Sequence, residues 1–484
     1  MNVRAFLLSL AVGIGTLVGT GATAPAADAG KPNVVFILAD DLGWGDLGCY
    51  GHSQIKTPNL DRLAKEGTLF TQFYVNGSVC SPSRCAFFTS QYPARQGIHG
   101  HYATKQMNES RGMSQFLDPK VPNVARILKS SGYATAHVGK WHLGWADTRL
   151  DAPAIGDYGF DFVGTPEKSG ADGPDLLFRA RSTEIFVDET LDFIRKHKER
   201  PFYVQMWTLV PHATLNPTEE QMKPYAHLRA GGPKFPFASA AQVFYASVTD
   251  LDTQVGRLMD GLKEMGLEEK TLIIFSSDNG PEDIHIRNAG HSGVGSAGPF
   301  RGRKRSLYEG GVRVPFIVRW PGKVPAGRIE NNAIVAGVDF LPTVCNLTGA
   351  KLPDDIKPDG EDVSDILKGA SRARTNPLHW EWRFNIAGEP FHRSPVLSVR
   401  DGKWKLLLNP DKSRVELYDI PADPTELNNV AEHHADIVER LSKAAIEWQA
   451  TLPKGPSDPS AGKMSYPWPG TPKQPARSRK QTGG

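Results

Sequence analysis

One apolar run constrains this chain more than any other feature. Asn33-Val34-Val35-Phe36-Ile37-Leu38-Ala39 has no polar residue after Asn33 and stops at Asp40-Asp41. A strand with one wet face alternates apolar and polar residues, so an unbroken run belongs to a strand covered on both faces, as in a parallel sheet. Parallel neighbours need long crossovers, usually helices. The following sequence supplies them. Thr57-Pro58-Asn59-Leu60-Asp61-Arg62-Leu63-Ala64 has an N-cap residue, proline at the first helical position and apolar residues at helical spacing, closed by Gly67. Pro122 opens a helix carrying Val124, Ile127 and Leu128; Gly132 ends it, and the strand Tyr133 to Val138 runs into Gly139-Lys140-Trp141-His142. A further strand, Phe202 to Val210, stops at Pro211-His212. Phe244, Val248, Leu251, Val255, Leu258 and Leu262 mark a long helix, followed by Leu272-Ile273-Ile274-Phe275 and then Asp278-Asn279. This alternation predicts an α/β fold with a doubly wound, mostly parallel sheet flanked by helices.

Near residue 390 the pattern changes. Ser394 to Val399, Lys403 to Leu408 and Val415 to Tyr418 are short runs between turn signals, followed by a helix from about Ile437 to Gln449, which predicts a smaller antiparallel sheet packed by one helix. The expected organisation is a leader over 1–29, a catalytic α/β unit over 30–390, a small α+β unit over 391–453 and a disordered tail over 454–484. The leader reading rests on Arg4, the apolar stretch from Ala5 to about Val18 and the small residues ending in Ala27-Asp28-Ala29, the order of a secretory signal; a membrane anchor is the alternative. Export to the periplasm or the medium, without stable membrane insertion, follows from the signal reading. A net charge of +3 is too small for a nucleic-acid track. Four cysteines, Cys49, Cys80, Cys85 and Cys345, are too few for a disulfide framework and lack C-x-x-C zinc spacing.

Ligands of open α/β sheets bind outside the carboxyl ends of the strands, and four strands here end in residues suited to one anion site. Asp40-Asp41 and Asp278-Asn279 can offer several oxygens to one hard cation, Ca²⁺ or Mg²⁺ rather than zinc. Cys80-Ser81-Pro82-Ser83-Arg84 places a cysteine where Pro82 opens a helix, and a helix N-terminus attracts anions. Lys140 and His142, two apart on an extended segment, share one side of it, while His212 and Lys304 arrive from other elements. Taken singly, each of these residues also fits a turn, a buried thiol or a surface charge; their convergence carries the argument.

Cys80-Ser81-Pro82-Ser83-Arg84 resembles the Cys-x-Pro-x-Arg signature of the type I, formylglycine-dependent sulfatases. Ala39-Asp40-Asp41-Leu42-Gly43, Gly139-Lys140-Trp141-His142-Leu143-Gly144, Ser277-Asp278-Asn279-Gly280 and Tyr308-Glu309-Gly310-Gly311-Val312-Arg313-Val314-Pro315 resemble the family's other motifs in family order, as do Leu417-Tyr418-Asp419 and Asp423-Pro424-Glu426. The resemblance implies an alkaline-phosphatase-like sheet and hydrolysis of sulfate esters. It implies that a maturation enzyme converts Cys80 to formylglycine, whose hydrate attacks sulfur with one hydroxyl and expels sulfate with the other. Arg84, Lys140 and Lys304 would offset charge on the sulfuryl oxygens, His212 would protonate the leaving alcohol and His142 would assist the second step. Ca²⁺, in preference to Mg²⁺, would be held by Asp40, Asp41, Asp278, Asn279 and the modified Cys80. Lys304 stands four residues before Tyr308, where the family places a lysine, but Arg303 and Arg305 beside it leave open which cation enters the site.

The segment from His291 to Lys304 resembles bacterial carbohydrate sulfatases, including those similar to N-acetylgalactosamine-6-sulfatases. A sulfated carbohydrate is therefore the expected substrate, with an aryl sulfate as alternative, and His101 and His291 are candidate substrate contacts. His99, Trp145, Trp380 and Trp382 could also meet a sugar. A phosphate or phosphonate ester hydrolase would use similar parts; a single oxygen-rich metal set, without the extra His and Asp ligands of a two-zinc phosphatase, favours sulfate. A non-catalytic carbohydrate-binding protein, with Cys80 left a thiol, is the reading from a different class.

Overall fold

The computed structural model describes residues 30–144, 152–166, 169–170, 173–174, 176–231, 236–286 and 289–464. Residues 1–29, where the leader is expected, Trp145 and the residues from 465 onward lie outside the described residues. The strands of the large sheet, in chain order, are β1 (Asn33–Ala39), β2 (Thr68–Phe70), β3 (Ala134–Gly139), β4 (Phe162–Pro166), β5 (Phe202–Trp207), β6 (Thr271–Ser277), β7 (Phe316–Arg319) and β8 (Arg328–Glu330). They lie side by side as β8-β2-β7-β6-β1-β5-β3-β4. From β6 to β4 all neighbours are parallel, and β7 runs against both β6 and β2. The unbroken apolar run is the centre of this sheet, as its composition demands.

Alternate residues of β1 enter two separate cores, because side chains of a strand point to opposite faces. Val34, Phe36 and Leu38 join one core with Phe87, Phe340 and Val344. Val35, Ile37 and Ala39 join the other with Phe186, Phe193, Phe244, Val248 and Leu251. The helices that close these faces are α1 (Pro58–Lys65), α2 (Cys80–Thr89), α3 (Val124–Ser130), α4 (Leu176–His197), α5 (Ala240–Glu264) and α6 (Phe340–Thr348). Phe36 sits 5.0 Å from the Phe87 ring and 4.7 Å from the Phe340 ring, so α2 is seated directly on β1. The α1 cap differs from the sequence expectation. The Thr57 side chain makes no cap bond; the Asp252 carboxylate of α5 accepts instead from Asn59 N at 3.0 Å and Leu60 N at 2.7 Å.

The second sheet contains β9 (Leu378–Glu381), β10 (Leu397–Asp401), β11 (Trp404–Leu408) and β12 (Val415–Asp419), all antiparallel, with α7 (Ala435–Ala450) against it. Its first strand precedes residue 391, so the sheet reaches back across the expected boundary. A buried ionic cluster binds it to the large unit. Lys405 of β11 donates to Glu309 Oε1 at 2.9 Å and lies 3.0 Å from Glu426 Oε1, while Tyr74 donates to Glu309 Oε2 at 2.7 Å. Residues 454–464 are tied down rather than loose, since Asp458 N donates to Arg383 O at 2.8 Å and Asn409 Nδ2 to Gly462 O at 3.3 Å. All four cysteines are free, and among the described residues no helix is long and apolar enough to cross a membrane.

Candidate active site

Four parallel strands deliver their ends to one place. Hydrogen bonds between consecutive loops fix the register there: Thr208 N donates to Leu38 O at 2.8 Å, Asp40 N to Val210 O at 3.1 Å, Asp278 N to Ala39 O at 3.1 Å and Lys140 N to Trp207 O at 2.8 Å. The chain leaving β1 then turns sharply, with Asp41 in the left-handed region at φ 65°. A side chain pays for that conformation, and such residues persist where the surroundings over-determine them. Asp41 N donates to Asp278 Oδ1 at 3.1 Å and Asn279 Nδ2 donates to Asp41 Oδ1 at 2.7 Å, which locks the two acidic pairs together.

Cys80 is the first residue of α2, and the whole helix is buried. Close approach at its start depends on Gly77, where a Cβ would lie 2.5 Å from Pro82 Cβ and 2.9 Å from Ser83 N. One turn on, Arg84 has no exposure; its Nε and Nη2 donate to Asp278 Oδ2 at 3.0 and 2.7 Å, and Nη1 donates to Lys140 O at 2.9 Å. The guanidinium also lies 5.2 Å over the Trp207 ring, which fixes its plane. Lys140 donates to Asp40 Oδ2 at 2.5 Å, and Lys304 stands 2.7 Å from both oxygens of Asp41. Lys304 is thus the cation of the basic cluster that reaches the acidic floor of the site. Arg303 turns away to the carbonyls of Glu282, Gly293 and Gly295, and Arg305 pairs with Glu282.

The two histidines are oriented through carbonyl oxygens, which only accept. His212 Nδ1 lies 2.6 Å from Ala213 O, so Nδ1 carries the proton and Nε2, 3.7 Å from Asp41 Oδ2, is the nitrogen that gains and loses one. His142 Nε2 donates to Tyr102 O at 2.9 Å, which makes Nδ1 the basic nitrogen. His142 does not follow Lys140 along an extended strand as the spacing suggested. Its φ of 53° marks a left-handed turn, yet both residues reach the same cavity.

Electrostatics separate the carboxylates. Burial alone would raise Asp40, but Lys140, His212, Arg84 and Lys304 outweigh it and hold the group well below the ordinary range. Burial and the neighbouring Asp40 push Asp278 up to about 8, against the pull of Arg84. Burial and Lys304 depress His212 against the opposing pull of Asp40 and Asp41. The donor set fits a hard cation. Asp40 Oδ1 and Asn279 Oδ1 are buried and accept no hydrogen bond, and donor atoms of Asp40, Cys80 and Asp278, like those of Asp40, Asp41 and His212, lie within 4.8 Å of one another. Buried oxygens without donors, beside two further carboxylates, are what Ca²⁺ or Mg²⁺ satisfies.

Above this floor opens a cavity of about 390 Å³, with Cys80, Lys140, His142, His212 and Lys304 at its inner end. His101 lines it, its ring 6.3 Å from that of His142; burial, Arg111 and His142 push it down to about 2, so it stays neutral. His291 is off the wall, in a turn whose neighbours Ala289 and Ser292 are on it. His99, Trp380 and Trp382 face a separate interior space; Trp380 donates to Val75 O at 2.7 Å and acts as packing. Glu282 and Arg305 also line the cavity. The sequence reading missed Glu282, although its place three residues after Asn279, at a strand end already singled out, is the signal that could have found it.

Comparison with known proteins agrees with this geometry. The sulfatase family model matches residues 32–350, and the model described as N-sulphoglucosamine sulphohydrolase, C-terminal, matches residues 298–451. The chain is 35% identical over 425 residues to arylsulfatase A of Homo sapiens, covering 83% of this chain and 77% of that protein. It is 29% identical over 507 residues to an N-acetylgalactosamine-6-O-sulfatase of Bacteroides thetaiotaomicron, covering 85% and 92%. Among solved structures it resembles Ps i-CgsB in complex with k-i-k-neocarrahexaose at a TM-score of 0.70 and 25% identity, over 86% of this chain and 92% of that one. The matches run through both units and through every strand end that builds the site: the chain belongs to the sulfatase family, and it is a sulfuric ester hydrolase.

Proposed function

We propose that the protein is an exported hydrolase of sulfate esters of carbohydrates, working through a formylglycine made from Cys80 beside a bound Ca²⁺. The observation that carries this reading is the position of residue 80. It sits at a helix N-terminus, in donor-atom reach of Asp40 and Asp278, on the floor of a cavity walled by Lys140, Lys304, His142 and His212. The likeness to an N-acetylgalactosamine-6-O-sulfatase supports a sugar substrate, and the leader-like N-terminus supports periplasmic or secreted location and encounter with a maturation enzyme.

Asp40, Asp41, Asp278 and Asn279, with the residue 80 oxygen, would hold the cation, which supplies Lewis-acid polarisation of the sulfuryl oxygens. The aldehyde hydrate at residue 80 supplies an oxygen nucleophile with a second, geminal hydroxyl. Around these groups the chain's own residues bind and move protons. Lys140 and Lys304 place two ammonium charges where sulfuryl oxygens enter, and Arg84 compensates Asp278 beneath them. His212 holds a proton at Nε2 for the departing alcohol. His142, whose Nε2 bond to Tyr102 O leaves Nδ1 as the basic nitrogen, would accept a proton at Nδ1 from the residue 80 side of the cavity.

Incubation of the natively exported enzyme with defined sulfated saccharides, read by sulfate release, tests the activity, and mass analysis of the tryptic peptide containing Cys80 tests the modification. Release of sulfate together with an aldehyde at residue 80 is expected. An active enzyme with an intact thiol would refute the mechanism, and a strong preference for the phosphate monoester of the same alcohol would refute the substrate class.

A further inference from the structure

Beyond the reacting end, the cavity wall carries a second ordered arrangement. Arg305 follows Lys304, lines the cavity and adopts a left-handed backbone at φ 77°, a conformation that a bulky side chain keeps only when held there. Its amide donates to Ser78 O at 2.8 Å, which ties the strained peptide to the turn leading into Cys80. The guanidinium is gripped along one edge: Nη1 donates to Glu282 Oε1 at 2.5 Å and Nη2 to Oε2 at 3.0 Å. Glu282 is buried, accepts from Asp283 N at 2.9 Å, and stands 3.7 Å from Lys304 Nζ.

A guanidinium has five N–H donors in a planar fork, so a carboxylate on one edge leaves donors on the other. Among the described residues, the Arg305 side chain makes no hydrogen bond except to Glu282. As a unit the pair is neutral, and it therefore does not compete with Lys140 and Lys304 for the sulfate group. It presents donors beside carboxylate lone pairs, the complement of hydroxyl groups that both donate and accept. Met107, Ile155 and Ile286 elsewhere on the wall offer an apolar surface for a C–H face. A molecule with hydroxyls on one edge and C–H bonds on its face is a sugar ring.

We propose that the Glu282–Arg305 pair reads hydroxyl groups of the alcohol half of the substrate and so selects sulfated sugars over sulfate esters of flat aryl alcohols. Arg305 is the specificity-determining contact and Glu282 the residue that positions it. This rests on the reading of the cavity as a carbohydrate sulfatase site. The test compares kcat/KM for sulfate release from monosulfated monosaccharides, N-acetylgalactosamine 6-sulfate among them, with that from 4-nitrophenyl sulfate. It uses the matured full-length enzyme, Arg305→Lys and Glu282→Gln. Loss of a hydrogen bond to a charged group predicts that the sugar-to-aryl ratio falls about 10–100-fold in Arg305→Lys. In Glu282→Gln it falls in the same direction, mainly through KM. A ratio that stays constant in the folded variants overturns the proposal while leaving the carbohydrate reading intact. A wild-type enzyme that cleaves the aryl ester and none of the sugars overturns both. If one variant fails to fold, the other decides.

Discussion

Replacing Lys405 with methionine would remove one ammonium from a fully buried cluster and leave two carboxylates behind. Lys405 Nζ lies 2.9 Å from Glu309 Oε1 and 3.0 Å from Glu426 Oε1, and all three side chains have 0% exposure. Glu309 keeps Tyr74 and Arg313 as partners, whereas the Glu426 carboxylate keeps the Glu309 amide at 2.6 Å. Methionine fills the space of the aliphatic stem, so little of the effect comes from a void. Removing one partner of a buried ion pair costs about 3–5 kcal/mol. The loss depends on pH in a defined sense. Burial, opposed by Lys405 and reinforced by Glu309, pushes Glu426 up from 4.5 to about 7, so the native state binds this proton more tightly than the unfolded chain. Stability from this group therefore falls as pH rises from 4.5 through 7, and without Lys405 the fall extends further upward. Guanidinium denaturation followed by tryptophan fluorescence should show the full loss near pH 8 and a smaller one near pH 5. A variant within about 1 kcal/mol of wild type near pH 8, or equally destabilised at both values, would refute the assignment of this cluster as the ionic joint between the two units.

His212→Gln tests the proton donor. Burial and Lys304 hold His212 below its ordinary 6.5, so the acid form of the free enzyme is lost as pH rises through a value under 6.5, and kcat/KM on unactivated esters declines there. The variant should lose that limb and about 10²–10⁴-fold in rate; a retained limb would assign the acid to another group. Asp278→Asn tests the cation site. Added CaCl₂ should raise the unfolding free energy of the wild-type protein, by about 2.7 kcal/mol at a hundred times Kd, and leave the variant unmoved. A wild-type protein indifferent to both Ca²⁺ and Mg²⁺ would overturn the site.

The parts of the site at strand ends were legible because burial on both faces leaves a continuous apolar run, and the first polar residues after it must lie at the carboxyl edge. Asp40-Asp41, directly after β1, and Asp278-Asn279, just beyond Ser276-Ser277 of β6, were placed this way, and Cys80 by Pro82, which falls in the first turn of a helix that in fact begins at Cys80. Elements with weaker local signatures were not. The three-residue strands β2 and β8 have too few residues to show a period, and β2 finds its partners β7 and β8 more than two hundred positions away. Helix α1 looked self-capped by Thr57, yet its amides are satisfied by Asp252, which no local pattern announces.

The charged residues divide along the same line. By itself the sequence determined a parallel sheet, the strand ends that form its active edge, and the residue types gathered there, because hydrophobic period and the positions of proline and glycine are local properties. Only the tertiary structure decided which of three adjacent cations reaches the carboxylates of the strand ends. Lys304 reaches Asp41 while Arg303 turns to carbonyls and Arg305 to Glu282, and side-chain direction in an irregular loop is set by the partners that packing brings near. It also decided that Glu309, within a motif that resembles one of the family's, is buried as the joint to the second sheet. A carboxylate's role follows from the charges around it, and those come from strands that meet only in the folded chain.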